Sequence, residues 1–187
     1  MRIVGGSRRG LKLAEVGIGD AAAHLRPTSD RVREAVFNLL INGTRGNLVA
    51  GARVLDLFAG TGALGLEALS RGAVAAVFVD DGAKALALLK ENIAKMRAEG
   101  ETRVIRQNAT RLPPNAEAPF TLVFLDPPYG KGMGEATLAA AQKGGWLAPG
   151  ATVVWEEGVA PAAPDGFVLI DQRRYGDTIV TLLTAPS

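Results

Sequence analysis

The chain has 187 residues, 48% of them hydrophobic and 21% charged, a globular balance that fits one well-buried domain and is too short for two ordinary ones. It has no cysteine, which excludes disulfides and thiolate metal sites, and its one histidine, His24, excludes a multi-histidine metal cluster. Net charge is only +2, yet residues 1–33 hold seven basic side chains against three acids while the remainder is −2, so a basic segment on an acidic body points to a polyanionic partner.

The opening MRIVGGSRRG is charged and glycine-rich, which does not read as a signal peptide, and no apolar run is long enough to span a membrane. A soluble, cytoplasmic protein is the expectation. RIVGG and RGLKLAEV flank a Gly/Ser/Arg turn and predict an N-terminal β-hairpin. After Pro27, one of Thr28, Ser29 and Asp30 can cap a helix, and Val32, Val36, Leu39 and Leu40 share one face of it over residues 30–41.

From residue 50 the pattern is regular. RVLDLF (53–58) predicts a strand, GALGLEALSR a helix, AAVFVD (75–80) a strand, residues 82–98 a helix and TRVIR (102–106) a strand. TLVFL predicts a fourth strand, residues 134–144 a helix and ATVVWEE (151–157) a fifth strand, and FVLIDQRR and DTIVTLL close the chain around a Tyr-Gly turn. Alternating strands and helices mean an α/β fold with a doubly wound, mostly parallel sheet. The last two strands are too close for a helical crossover, so one of them should run antiparallel as part of a hairpin. No repeat or linker divides the chain: residues 1–29 form a basic hairpin extension and 30–187 the core of a single domain.

DLFAGTGALG (56–65) satisfies G-x-G-x-x-G with Gly60, Gly62 and Gly65 between a strand and a helix, and Asp80 ends the next strand. Dinucleotide-binding oxidoreductases share that spacing. Asp56 separates the readings, because an acid there suits a cationic ligand amine and would repel a pyrophosphate. Phe58 and Ala59 form a small apolar wall where a phosphate site would favour glycine. The loop therefore looks like the S-adenosylmethionine loop of Rossmann-type methyltransferases, with Gly60 and Gly62 admitting the ligand to the backbone and Asp80 accepting its ribose hydroxyls. Asn108 and the Ala109 backbone, after the third strand, are candidates for the adenine.

The fourth strand ends in Asp126-Pro127-Pro128-Tyr129. An open α/β sheet binds ligands at the carboxyl ends of its strands. The prolines fix φ and lack N–H donors, so the loop offers a carboxylate and a rigid carbonyl, two acceptors suited to an amino group. The lone pair of a base amino group is delocalised into the ring. Holding both N–H bonds favours pyramidalisation, aims the lone pair at a methyl donor and stabilises charge developing on nitrogen. Tyr129 offers a stacking face for an unpaired base.

RIVGGSRRGLKL, LRPTSDRVREAVFNLL, DLFAGTGALGLEALSRG, FLDPPY and RRYGDT together resemble, in order and over essentially the whole chain, the bacterial 16S ribosomal RNA guanine-N2 methyltransferases of the RsmD type. The resemblance implies a Rossmann-like methyltransferase with a small N-terminal β-hairpin extension, S-adenosylmethionine as cofactor, and 16S rRNA or an assembling small ribosomal subunit as partner. The target it implies is one guanine 2-amino group, guanine-966 in conventional rRNA numbering. It maps the acceptor motif onto Asp126, Pro127 and Tyr129 and the ribose acid, often glutamate in the family, onto Asp80. Arg8, Arg9, Arg26, Arg31 and Arg33 would clamp RNA phosphates near the cofactor crevice. Arg173 and Arg174 could be RNA contacts or edge-strand charges. His24 has no implied role, and nothing demands more than a monomer. The acceptor pair recognises an amino group rather than a base, so an adenine-N6 methyltransferase acting on DNA or another RNA stays open. An NAD-binding oxidoreductase and a non-catalytic RNA-binding module are the remaining alternatives.

Overall fold

A computed structural model describes residues 1–15 and 29–187. The predicted residues His24 and Arg26 lie outside the described residues. Helix α1 (Asp30–Asn42) opens on Ser29, whose hydroxyl accepts the Val32 N–H at 3.2 Å. There follow β1 (Arg53–Leu57), α2 (Ala63–Ser70), β2 (Ala75–Asp80), α3 (Ala83–Met96), β3 (Thr102–Arg106), β4 (Phe120–Leu125), α4 (Met133–Lys143), β5 (Leu147–Glu157), β6 (Val168–Tyr175) and β7 (Thr178–Thr184).

The seven strands form one sheet in the order β3-β2-β1-β4-β5-β7-β6. Pairings from β3 through β5 are parallel, and β7 runs antiparallel to both neighbours, so it is the expected antiparallel strand. Two boundaries differ from the sequence expectation. Strand β1 stops at Leu57 because Phe58 takes a left-handed φ of 59°, which breaks the ladder. Strand β5 begins earlier, at Leu147, where it pairs with Phe120 before a register shift.

Alternation along the strands divides the interior into two layers. Val54, Phe78, Leu122, Phe124, Val154 and Val180 face α1, α2 and α3, meeting Val36, Phe37, Leu40, Leu66 and Leu89. Leu55, Leu57, Val77, Val79, Val123, Leu125 and Trp155 face α4 through Leu138 and Ala141. Helices on both faces explain why the central strands read as continuous apolar runs.

Among the described residues, the N-terminal hairpin shows one antiparallel bridge, Arg2 with Lys12, flanked by Ile3 N–H to Leu11 O at 2.9 Å and Gly10 N–H to Ile3 O at 2.8 Å. Ile3 and Leu13 are buried in the first layer, so this segment shares the core of the domain. It is held by Glu67, a fully buried acid of α2. Its carboxylate accepts the N–H groups of Val4 at 2.9 Å and Gly5 at 2.8 Å, and pairs with Arg71 Nε at 2.7 Å and Arg33 Nε at 3.4 Å.

Removing Glu67 strands the buried Arg33 guanidinium and two backbone donors. Glu67→Ala is expected to lower unfolding free energy by about 3–5 kcal/mol in urea titrations. Loss at the exposed Glu34 of α1 should stay within about 0.5 kcal/mol, so equal effects at the two sites would contradict the buried hub.

Candidate active site

Four adjacent strands, β2, β1, β4 and β5, carry an acid at or just past their carboxyl ends. Asp80, Asp56 and Glu156 fall at positions that alternate onto the α1–α3 face, in phase with Phe78, Val54 and Val154. Asp126 follows Leu125, whose partners are Leu57 and Trp155, so it comes level with Phe58 and Glu156. Its N–H donates to Leu57 O at 3.3 Å. The result is a crescent of carboxylates along one side of the crevice mouth.

Like charges in a dry site cannot all stay ionised. Burial, opposed by the Gly65 N–H bond and aided by the charges of Asp80 and Glu156, pushes the Asp56 carboxyl up to about 8. Burial and the charges of Glu156, Asp56 and Glu157 hold Asp126 well above the usual carboxylate range. No ion pair among the described residues reaches Asp56 or Asp126. A positively charged ligand would lower both values and gain binding energy in doing so.

The glycine loop is preshaped beside these acids. Asp56 Oδ2 accepts the Gly65 N–H at 2.9 Å, tying the end of β1 to the first turn of α2. Gly62 caps α2 with φ 81°, and a Cβ there would lie 2.3 Å from Leu89 Cδ1, so both conformation and packing require glycine. Asp80 accepts the Gly60 N–H at Oδ2 and the Gly82 N–H at Oδ1, each at 2.8 Å. A carboxylate has about four acceptor directions, so two remain for a pair of ribose hydroxyls. Ala59 is buried and Phe58 packs partly buried on the α4 layer, giving the crevice its apolar wall. Asn108 departs from the simplest expectation. Its Oδ1 accepts Thr110 N–H at 2.9 Å and Thr110 Oγ1–H at 2.7 Å to cap the turn Ala109–Arg111, so its amide donors, rather than its oxygen, can face a ring nitrogen.

The turn after Asp126 is held from β5. Glu157 Oε1 accepts the N–H groups of Gly130 at 3.1 Å and Gly158 at 2.9 Å, fastening both strand exits together. Tyr129 is half-buried, and its hydroxyl is hydrogen-bonded to Thr178 Oγ1 at 3.0 Å. Neither Glu157 nor Thr178 was found by sequence reasoning. RRYGDT was a visible motif, but its contact with Tyr129 spans 49 positions.

The arginines do not form one clamp. Arg33 is fully buried, bonded to Arg2 O and to Asp30 Oδ1 at 2.7 Å, so it serves the interior and cannot meet a phosphate. Arg8 N–H donates to Ser70 Oγ at 2.9 Å, at the far end of α2, and its guanidinium pairs with Glu101 at 3.1 Å, just before β3 begins. Arg8 and its exposed neighbour Arg9 therefore sit toward the amino edge of the sheet, one helix length from the crevice rather than beside it. For the eight residues of α2 that length is about 12 Å. Arg31 is exposed in the first turn of α1. Arg173 is tied to Asp171 at 2.8 Å, and Arg174 is exposed.

Among the described residues, no group of three or more potential ligands could hold a metal ion, and no helix is long and apolar enough to cross a membrane. The family model described as Conserved hypothetical protein 95 matches residues 1–184. The chain is 41% identical to "Ribosomal RNA small subunit methyltransferase D" of Escherichia coli K12, over 97% of this chain and 88% of that protein. The chain belongs to the RsmD family of ribosomal RNA methyltransferases. A Haemophilus influenzae protein of the same name is 33% identical over 94% of this chain and 89% of its own length. The solved structure "Putative methyltransferase yhhF from Escherichia coli" superposes with a TM-score of 0.82 at 36% identity, covering 100% of this chain and 98% of the other. The Rossmann-like methyltransferase fold follows. So does the RsmD-family cofactor, S-adenosylmethionine, whose ammonium and sulfonium charges suit a carboxylate crescent short of cations.

The raised carboxyl pKa values have a signed consequence. An Asp56 that titrates near 3.8 when unfolded and at about 8 when folded makes the unfolded chain the better acid, so stability falls as pH rises between those values. Urea midpoints without ligand should decline from about pH 5 to about pH 8. Asp56→Asn keeps an acceptor for Gly65 and should flatten that decline; an unchanged slope would contradict the burial of a protonated Asp56.

Proposed function

We propose that the protein transfers the methyl group of S-adenosylmethionine to the 2-amino group of one guanine in small-subunit ribosomal RNA. The observation that carries this reading is the placement of Asp126, followed by two prolines and the half-buried Tyr129, at the end of β4 beside the glycine loop of β1. The family's relatives named for small-subunit ribosomal RNA support the substrate class. The resemblance of DLFAGTGALGLEALSRG and FLDPPY to guanine-N2 methyltransferases supports the choice of amine.

The cofactor supplies an electrophilic methyl group on a good leaving group. The chain's own residues do the rest. Asp56 and Asp80 orient the cationic and ribose ends, and Gly60 and Gly62 let the backbone approach. Asp126, held well above the usual carboxylate range by burial and by Glu156, Asp56 and Glu157, would accept the guanine amine best once a cationic methyl donor beside it favoured its ionised form. Asp126 and the Pro127 carbonyl hold the two N–H bonds of the guanine amine, directing its lone pair at the methyl group. Charge that develops on nitrogen is stabilised by the same carboxylate, in a site where dielectric screening is weak. Tyr129 stacks the extruded base. Arg31 takes a phosphate near the crevice. Arg9 meets RNA only if the strand continues along α2 toward the hairpin tip.

Asp126→Ala should lower methyl transfer by about 10²–10³-fold while cofactor affinity falls only modestly in calorimetry, as expected for loss of one preorganised group. Full activity in that variant would refute the acceptor role. Arg31→Ala should weaken RNA binding and reduce the slope of log K against log salt by about 0.7–0.9. A slope that does not change would remove Arg31 from the phosphate contacts.

A further inference from the structure

The C-terminal hairpin has no part in the chemistry described so far, yet it reaches the crevice. Strand β7 runs antiparallel to β5 with Ile179 paired to Glu157, so Thr178, one residue earlier, lies level with the carboxyl end of β5. A parallel strand would have brought its other end there. The antiparallel turn after Tyr175 thus closes the side of the site next to Tyr129, and Thr178 Oγ1 meets the Tyr129 hydroxyl at 3.0 Å.

Two further constraints act on the same ring. Gly158 has no side chain where a Cβ would stand 3.0 Å from Tyr129 Cδ2, so the ring lies against the backbone leaving β5. Glu157 fixes that backbone and the Gly130 N–H just after the ring. The Tyr129 hydroxyl keeps its proton, since burial, partly offset by the bond to Thr178 and joined by the charges of Asp126, Glu156 and Glu157, pushes it up to about 12. Its chemistry is that of a neutral hydrogen-bonding group, which leaves orientation as its contribution. A phenylalanine would stack a base equally well but could not be pinned from the hairpin.

We propose that Thr178 is a positioning residue that sets the plane of the Tyr129 ring through this hydrogen bond, and so the angle at which the target base meets Asp126. The inference rests on the methyltransferase reading above. Two changes remove the same bond from opposite ends: Thr178→Val, which is close in shape, and Tyr129→Phe, which keeps the aromatic face. Thr178→Ser retains the hydroxyl.

The test measures kcat and KM for methylation of small-subunit ribosomal RNA, with cofactor affinity by calorimetry and thermal midpoints in parallel. Each bond-removing variant should lose about tenfold in kcat, with cofactor affinity and thermal midpoint near those of the unmodified chain. The double variant should lose no more than either single one, and Thr178→Ser should recover most of the rate. If Thr178→Val does not fold, Tyr129→Phe and Thr178→Ser still decide the matter. An undiminished kcat in Tyr129→Phe, or losses that add in the double variant, would overturn the role of Thr178. An unmodified chain that binds cofactor yet methylates no RNA would instead overturn the reading beneath it.

Discussion

The structure turns on a row of carboxylates that would repel one another unless a cation joined them. Four neighbouring parallel strands each deliver an acid to the crevice edge, and three of those acids are in phase with the apolar residues of the α1–α3 layer. That arrangement raises the energy of the empty site and is relieved by a ligand of positive charge. The same topology that makes a central strand apolar on both faces places its first polar residue at the strand's end, where a ligand can reach it. Packing and binding are therefore set by one alternation.

A second buried acid has the opposite economy. Glu67 is surrounded by Arg33, Arg71 and two backbone N–H groups, so its charge is fully compensated inside the domain. It fastens the N-terminal segment along α2 and α1. Because the segment runs the length of α2, its basic tip ends up away from the cofactor. RNA that touched both Arg9 and Asp126 would have to lie along that face of the molecule. The contrast between Glu67 and Asp56, both buried, is one of partners rather than burial, and partners decide which acid is structural and which waits for a ligand.

Much of this was legible in the sequence because it is local. DLFAGTGALG shows a strand, a tight turn and a helix within ten residues, and DPPY shows a strand end whose two prolines offer carbonyls and no N–H. The apolar runs of β1 through β5 and the period near 3.6 in α1 indicate the order of elements. The burial of Arg33 is not legible in the sequence because a charged residue on an amphipathic helix reads as exposed. Its compensating partner stands 34 positions away, and no periodicity reports that. The placement of Arg8 failed for the same reason, since only the bonds to Ser70 and Glu101 show which end of the sheet the hairpin tip reaches. Phe58 reads as part of its strand because a left-handed φ at a bulky residue leaves no compositional trace. The bond between Tyr129 and Thr178 depends on the β7 strand being inserted between β5 and β6, which sequence order alone does not reveal.

The central claim is that the acceptor pair at Asp126 receives the 2-amino group of a guanine. It is tested most directly by incubating the protein with unmethylated small-subunit ribosomal RNA, free and in assembling particles, with isotopically labelled S-adenosylmethionine, and mapping the labelled nucleosides by mass spectrometry. The account predicts label in N2-methylguanosine at a single position. Label in N6-methyladenosine, or on a ring carbon or a ribose, would contradict it.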